Sequence, residues 1–255
     1  IHTAGGLGTR APSVDWSTST DSYSCKKHHV EVRVPDELME NSDPPIQPKI
    51  IATKMIVSLL NLTKEADLKS ALDNGISNYT GASSVWTSAT SDPIGEIETG
   101  RNTIISARGV APNVGFCDVK VYNALINHPD IISRLRNVVV ATRANIESLL
   151  AQILGLENIY VARAYKNTSL TGTPSLSSVW GTYFYLAYVS PEPSLQTLSL
   201  GYTFQWMEAP NTIDGVAIEE YREETHKSDV IRGFRYYDQK LVDGYCGYYI
   251  TGCVS

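Results

Sequence analysis

The stretch "PPIQPKIIATKMIVSLLNLTKEADLKSALDNG", residues 44–75, decides the fold. Prolines crowd its first positions and an Asn-Gly pair closes it. Between them Ile46, Ile50, Ile51, Met55, Leu59, Leu60 and Leu62 recur at three- and four-residue steps, the period of an amphipathic helix. The pattern runs on through "KEADLKSALD" to Asn74-Gly75, residues that tolerate the left-handed conformation ending helices. The spacing predicts one helix of about 25 residues, or two in succession with a bend. A helix of that length is a strut for its domain. It does not cross a membrane: the longest apolar run, "IIATKMIVSLLNL", carries a lysine and falls short of the roughly 20 residues a bilayer requires.

Upstream, "VEVRV" (30–34) alternates as a strand does, and "CKKHH" (25–29) leads into it. Adjacent residues on a strand point to opposite faces, so His28 and His29 do not share a metal, and the ligand count of a zinc site is missing. Residues 1–24 are rich in Gly, Ser and Thr and read as extended. Gly5, Gly6 and Gly8 lack the preceding strand and following Lys-Ser/Thr of a phosphate loop.

Downstream, Asp92 and Pro93 open a second helix, with Ile94, Ile97, Ile104 and Ile105 on one face and Gly109 at its exit. "APNVGFC" (111–117) reads as a buried strand, and Asp118 caps the helix through Val121, Tyr122 and Leu125. In "NALINHPDII" (123–132), Pro129 disfavours helix at His128 and suits the first turn of the next helix. His128 is read as a residue of the joint in preference to a catalytic base. "TRANIESLLAQILG" (142–155) predicts a further helix, and "NIYVARAY" (158–165) a strand.

From residue 170 the pattern is mostly β: "YFYLAYV" (183–189), "LSLGYTFQW" (198–206), "GVAIEEYREE" (215–224), "DVIRGFRYYDQ" (229–239) and "GYYITGCV" (247–254). Residues 216–238 read as a hairpin turning near "THKS". Glu219, Glu220, Glu223 and Glu224 on one strand face Arg232 and Arg235 on the other, with Arg222 and Asp238 beside them. Paired carboxylates could serve a glycosidase. Cross-strand salt bridging, within a subunit or to a neighbour, is the favoured account.

With 255 residues, 42% hydrophobic and 19% charged, the chain has globular composition and room for one large or two small domains. A net charge of −6 disfavours free-standing nucleic-acid binding. Cys25, Cys117, Cys246 and Cys253 are spread widely without a CxxC pair; whether Cys246 and Cys253 bond is left open. The sequons at Asn61, Asn78 and Asn167 lack a secretory context. Walker A, G-x-S-x-G, H-E-x-x-H and dinucleotide-turn motifs are absent, and no catalytic, cofactor-binding or metal-binding residue is assigned. Ile1 follows no initiator Met or signal pattern, so a processed or incomplete start is expected.

The order of motifs resembles the major capsid proteins of tailed bacteriophages. The segments carrying it are "DSYSCKKHHVEVRVPD", "NSDPPIQP" with the long helix, Trp86 followed by "SDPIGEI", and "APNVGFCDVKVYNALINHPDIISRLR". "LGLENIYVARAYKNT", "SSVWG", "YFYLAYV" and "YREETHKSDVIRGFRYYDQKLVD" complete the series. The resemblance implies an α+β Hong Kong 97-type shell fold with extended loop, spine helix, peripheral domain and axial domain. Residues 1–34 would be the extended loop and its return strand. Residues 35–110 and 211–238 would form the peripheral domain, including the spine helix (44–74), and 111–210 with 239–255 the axial domain.

By the same resemblance the chain is not an enzyme and needs no cofactor. Its partners would be copies of itself in pentamers and hexamers, together with portal, scaffolding and decoration proteins. The shell would enclose double-stranded DNA without sequence-specific binding, as part of a virion assembled in the host cytoplasm. Inter-subunit contacts are expected at Arg10 and Trp16 of the arm and at Glu220, Arg222, Glu224, Arg232, Arg235 and Asp238 of the hairpin. Exposed ion pairs are individually weak, which suits assembly that corrects errors. Three rivals are an encapsulin-like nanocompartment shell protein, a carbohydrate-active enzyme using the 219–224 carboxylates, and an adhesive surface module suggested by the Tyr-rich strands.

Overall fold

A computed structural model describes residues 20–43, 45–135, 146–169, 172–194, 197–206 and 215–255. In chain order the first elements are β1 (Lys26–Pro35), α1 (Asp36–Glu40), α2 (Pro48–Gly75), β2 (Asn78–Gly81), α3 (Pro93–Arg108) and β3 (Val114–Asp118). Then come α4 (Val119–Ile126), α5 (Pro129–Leu135), α6 (Ile146–Ile153), β4 (Asn158–Ala162), β5 (Tyr165–Asn167) and β6 (Leu176–Ser178). The chain closes with β7 (Phe184–Ala187), β8 (Gly201–Gln205), β9 (Ala217–Glu223), β10 (Ser228–Leu241) and β11 (Gly247–Thr251).

Two principal sheets result. In the first, β10 is central: β1 pairs along one side, and β9 and then β8 pair along the other, all antiparallel. The second runs β2-β11-β7-β3-β4, with parallel pairs β2–β11 and β3–β4. A small β5–β6 pair stands apart.

The strut is one unbroken helix of 28 residues. Pro48 occupies its first turn, where a missing N–H costs nothing, and the Ile76 N–H closes it on Leu72 O. Its first half buries Ala52, Ile56 and Leu60 against Val34 and Ile231 of the first sheet. Gly233 leaves the room: a Cβ there would stand 2.3 Å from Ile56 Cγ2. In the second half, Leu62, Ala66, Leu68 and Leu72 pack on the cluster around Ile76, Trp180, Tyr185 and Tyr249. Three carboxylates pin this half to both sheets: Glu65 accepts from Trp180 Nε1 (2.7 Å), Asp67 from Tyr237 OH (2.6 Å) and Asp73 from Tyr185 OH (2.5 Å).

The predicted apolar face needs correction. Ile46, Ile50, Ile51 and Met55 are exposed, and the buried stripe is 52, 56 and 60. Ile51 and Met55 fall roughly a third of a turn away from it, since each residue advances about 100°.

The other local signals hold. Asp92 accepts from Gly95 N at 2.9 Å, Pro93 starts α3, and Gly109 ends it at φ 71°. Asp118 accepts from Lys120 N at 2.8 Å to cap α4. The core of the second sheet joins Trp86, Ile97 and Ile104 to Leu125, Ile131, Leu150, Phe184 and Ile250. "NIYVARAY" splits into β4 and β5, and α1 and β2 are elements that the pattern did not predict. Residues 142–145 of the helix predicted at 142–155 lie outside the described residues, as does the arm through residue 19.

Candidate functional site

The charged hairpin forms as expected, with β9 and β10 joined by a 3-10 turn at Glu224–His226 and Lys227 at φ 43°. Its ion pairs run differently. Of the bridges between the two strands, the one formed is Arg222–Asp229 (3.2 Å), an arginine on β9 and a carboxylate on β10. Several other charges reach outward to β1, α1 and α2. Arg222 Nη2 donates to Asp36 Oδ2 at 2.6 Å, and Lys49 at the head of α2 binds Asp229 (2.6 Å) and Glu220 (2.5 Å). Arg33 binds Glu223 at 3.0 Å, and Arg232 binds Glu31 at 3.1 Å and Tyr221 OH at 2.8 Å.

Sheet order explains the choice. Arg232 stands between Glu31 on β1 and Glu219 on β9, and takes Glu31. Hydrogen bonds from Lys49 and then Arg222 hold the Asp229 carboxyl below the usual carboxylate range; the Arg222 bond does the same for Asp36. The Lys49 ammonium is pushed up by Asp229 and then Glu220. This network fastens the hairpin, α1 and the head of α2 into one body.

Of the expected contact residues, Arg10 and Trp16 lie outside the described residues. Glu220, Arg222 and Arg232 are engaged within the subunit as above. Glu224 is 84% exposed at its side chain, 3.5 Å from Arg222 Nε. Asp238 accepts from the Ser24 N–H at 2.8 Å. Arg235 is not on the surface: it faces α2 and is 8% exposed.

Same-face carboxylates of β9 are spaced too widely to pair with one another. Residues 219, 221 and 223 share one face of β9, and 220 and 222 share the other. Same-face carboxylates four residues apart are separated by about 13 Å, beyond the ~5–9.5 Å of glycosidase pairs.

His128 acquires partners that its sequence neighbours did not reveal. Its buried ring places Nε2 3.2 Å from both Ser91 Oγ and Ser88 O, with Asp130 Oδ2 3.6 Å from Nδ1. A Ser–His–Asp set is thus assembled, but in the wrong tautomer. The Asp130 N–H donates to Nδ1 at 3.3 Å, which leaves the ring proton on Nε2, the atom that would have to take a proton from Ser91. Ser91 Oγ donates to Ser88 O instead, at 2.7 Å. The ring ties the 88–91 turn to the α4–α5 joint.

All four cysteines are free thiols, with Cys246 in the α2-side core and Cys253 in the α3-side core. Among the described residues, no three His, Cys, Asp or Glu side chains converge as metal ligands, and no helix is long and apolar enough to cross a membrane.

No family model matches the chain. The solved structure of a phage-related protein from Bordetella bronchiseptica RB50 superposes with a TM-score of 0.71 at 26% identity, covering 94% of this chain and 80% of that one. Two curated relatives are named major capsid protein. That of Pseudomonas phage JBD67 is 24% identical over 209 residues, 79% of this chain and 66% of the relative. That of Burkholderia phage BcepMu is 28% identical over 177 residues, 67% of this chain and 53% of the relative. In sequence the chain is similar to phage major capsid proteins.

The α+β class and the Hong Kong 97-type shell fold are as the resemblance implied. The mature capsid of bacteriophage PhiM1 shares the fold at TM-score 0.52 and 11% identity, over 98% of this chain and 79% of that one. So does the holo-SrpI encapsulin complex of Synechococcus elongatus PCC 7942, at TM-score 0.57 and 9% identity, over 89% and 73%. Likeness to the encapsulin and to the PhiM1 capsid is one of fold alone; likeness to the two curated capsid proteins extends to sequence. The chain spans 66% and 53% of the length of these two curated relatives.

Proposed function

We propose that the chain is the shell subunit of a tailed-phage head, a structural protein of the virion. It assembles into pentamers and hexamers that close an icosahedral shell around double-stranded DNA, in the cytoplasm of the host. The reading is supported above all by its curated relatives, both named major capsid protein, together with a capsid-like fold over nearly the whole chain. The proposed division follows: extended loop and return strand at 1–34, peripheral domain at 35–110 and 211–238, axial domain at 111–210 and 239–255. Arg10, Trp16 and the hairpin charges contact neighbouring subunits, and portal, scaffolding and decoration proteins are further partners.

An acidic subunit suits a container for nucleic acid, because a like-charged wall does not grip the genome. The encapsulin reading has no observation of its own in this chain beyond the shared fold.

The test is size-exclusion chromatography with negative-stain microscopy at several protein and salt concentrations. Closed shells, or five- and six-fold rings, are expected. A species that stays monomeric under every condition, including as part of a chain as long as its relatives, overturns the reading.

A further inference from the structure

Residues of β10 alternate, so Ile231, Gly233, Arg235, Tyr237 and Gln239 all face α2. Each of the others has its counterpart there. Ile231 and Gly233 meet Ile56 and Leu60, Tyr237 OH donates to Asp67, and Gln239 Nε2 donates to Lys64 O at 3.2 Å. Arg235 sits between the apolar and polar halves of this seam, 8% exposed, and its Nε is sealed from solvent without a partner. Among the described residues its guanidinium has no hydrogen-bond acceptor and no carboxylate within ion-pair distance.

The neighbouring cation does not relieve it. Lys64, above the Tyr237 ring at 6.0 Å, also makes no ion pair among the described residues; burial and then the Arg235 charge lower its pKa. His28 lies directly across the ladder from Arg235. Asp67 is committed elsewhere, accepting from Tyr237 OH at 2.6 Å with His28 Nδ1 at 3.7 Å. The other arginines of this sheet, Arg33, Arg222 and Arg232, all have their carboxylates.

A guanidinium whose Nε is sealed and which has no counter-charge is costly, and its planar fork matches the paired oxygens of a carboxylate or phosphate. We infer that Arg235 and Lys64 form an oxyanion-binding site between α2 and β10, filled from outside the subunit. The oxyanion is either free phosphate or a carboxylate side chain of a second copy; the second source rests on the shell-subunit reading.

The experiment titrates inorganic phosphate into the dispersed chain against sodium chloride at matched ionic strength, following Tm and heat of binding. A rise of about 3 °C is expected at roughly ten times Kd. The rise is lost in Arg235→Gln and reduced in Lys64→Met. Because Arg235→Gln removes an unpaired buried charge, its Tm without phosphate equals or exceeds that of the parent. If the parent does not respond to phosphate, yet forms shells that folded Arg235→Gln does not, the oxyanion is a neighbour's carboxylate.

An equal phosphate response in parent and Arg235→Gln overturns the site. So does no response combined with shell formation that Arg235→Gln leaves unchanged. If the parent forms no shells at all, the shell reading fails separately and the phosphate arm alone decides. Should Arg235→Gln fail to fold, Arg235→Lys, which keeps the charge and loses the fork, and Lys64→Met carry the same comparisons.

Discussion

Gly233 shows how little slack single positions have. A Cβ there would stand 2.3 Å from Ile56 Cγ2 and 3.2 Å from Leu60 Cδ1, and both side chains are fully enclosed. Gly233→Ala is therefore expected to cost about 1–3 kcal/mol in urea unfolding, the usual penalty of overpacking a filled core. Gly81→Ala, whose Cβ would rest 3.7 Å from Thr251 Oγ1, is the control and should stay within about 0.5 kcal/mol. The thiols offer a second residue-scale test. Burial pushes Cys117 and Cys253 far above the ordinary thiol range, and burial followed by the Asp243 charge pushes Cys246 up to about 11. Cys25 lies half-buried at the start of the first sheet. A thiol reagent at pH 8 should thus label Cys25 alone in the native chain and all four cysteines after unfolding; rapid native labelling of Cys117 or Cys253 would contradict this packing.

Between neighbouring residues of one element the contrast is sharper. Ile56 is fully buried beneath α2 while Met55 is 53% exposed. Ile56→Ala should cost about 2–4 kcal/mol through lost burial and the cavity left behind, whereas Met55→Ala should change the unfolding midpoint of the dispersed chain very little. The sequence predicts this helix and its ends, because Pro48 and the Asn74-Gly75 close are local signals. It misplaces the buried face. Isoleucines at 50 and 51 outweigh an alanine at 52, yet the buried stripe packs on Val34 and Ile231 and over Gly233, all far away in sequence. Strand β2 was unreadable for the same reason: "NYTG" is a strand because β11, at the far end of the chain, runs parallel to it. The hairpin was readable from its turn, but its ion-pair partners depend on β1 lying beside β10. For Arg235 a signal was present: the period-2 alternation through Ile231, Gly233 and Tyr237 already turns it inward.

Across the whole molecule, the surface left by the first half of α2 is the unusual feature. Ile46, Ile50, Ile51 and Met55 are all about half exposed, side by side with a head of the helix whose charges are already neutralised by Asp229 and Glu220. A subunit that folds alone has no use for four large apolar side chains in water, whereas one that packs against copies of itself buries them at its contacts. On the shell-subunit reading, the double substitution Ile51→Ser with Met55→Ser should leave the Tm of the dispersed chain within about 2 °C of the parent, since neither side chain reaches the core. The same variant should form shells at a protein concentration at least about ten times higher than the parent requires, because losing apolar area worth only about 1.4 kcal/mol per contact is tenfold in affinity and is repeated at every subunit. Light scattering against concentration, with particle counts by negative stain, measures both. Unchanged assembly with unchanged Tm would place this face away from every contact.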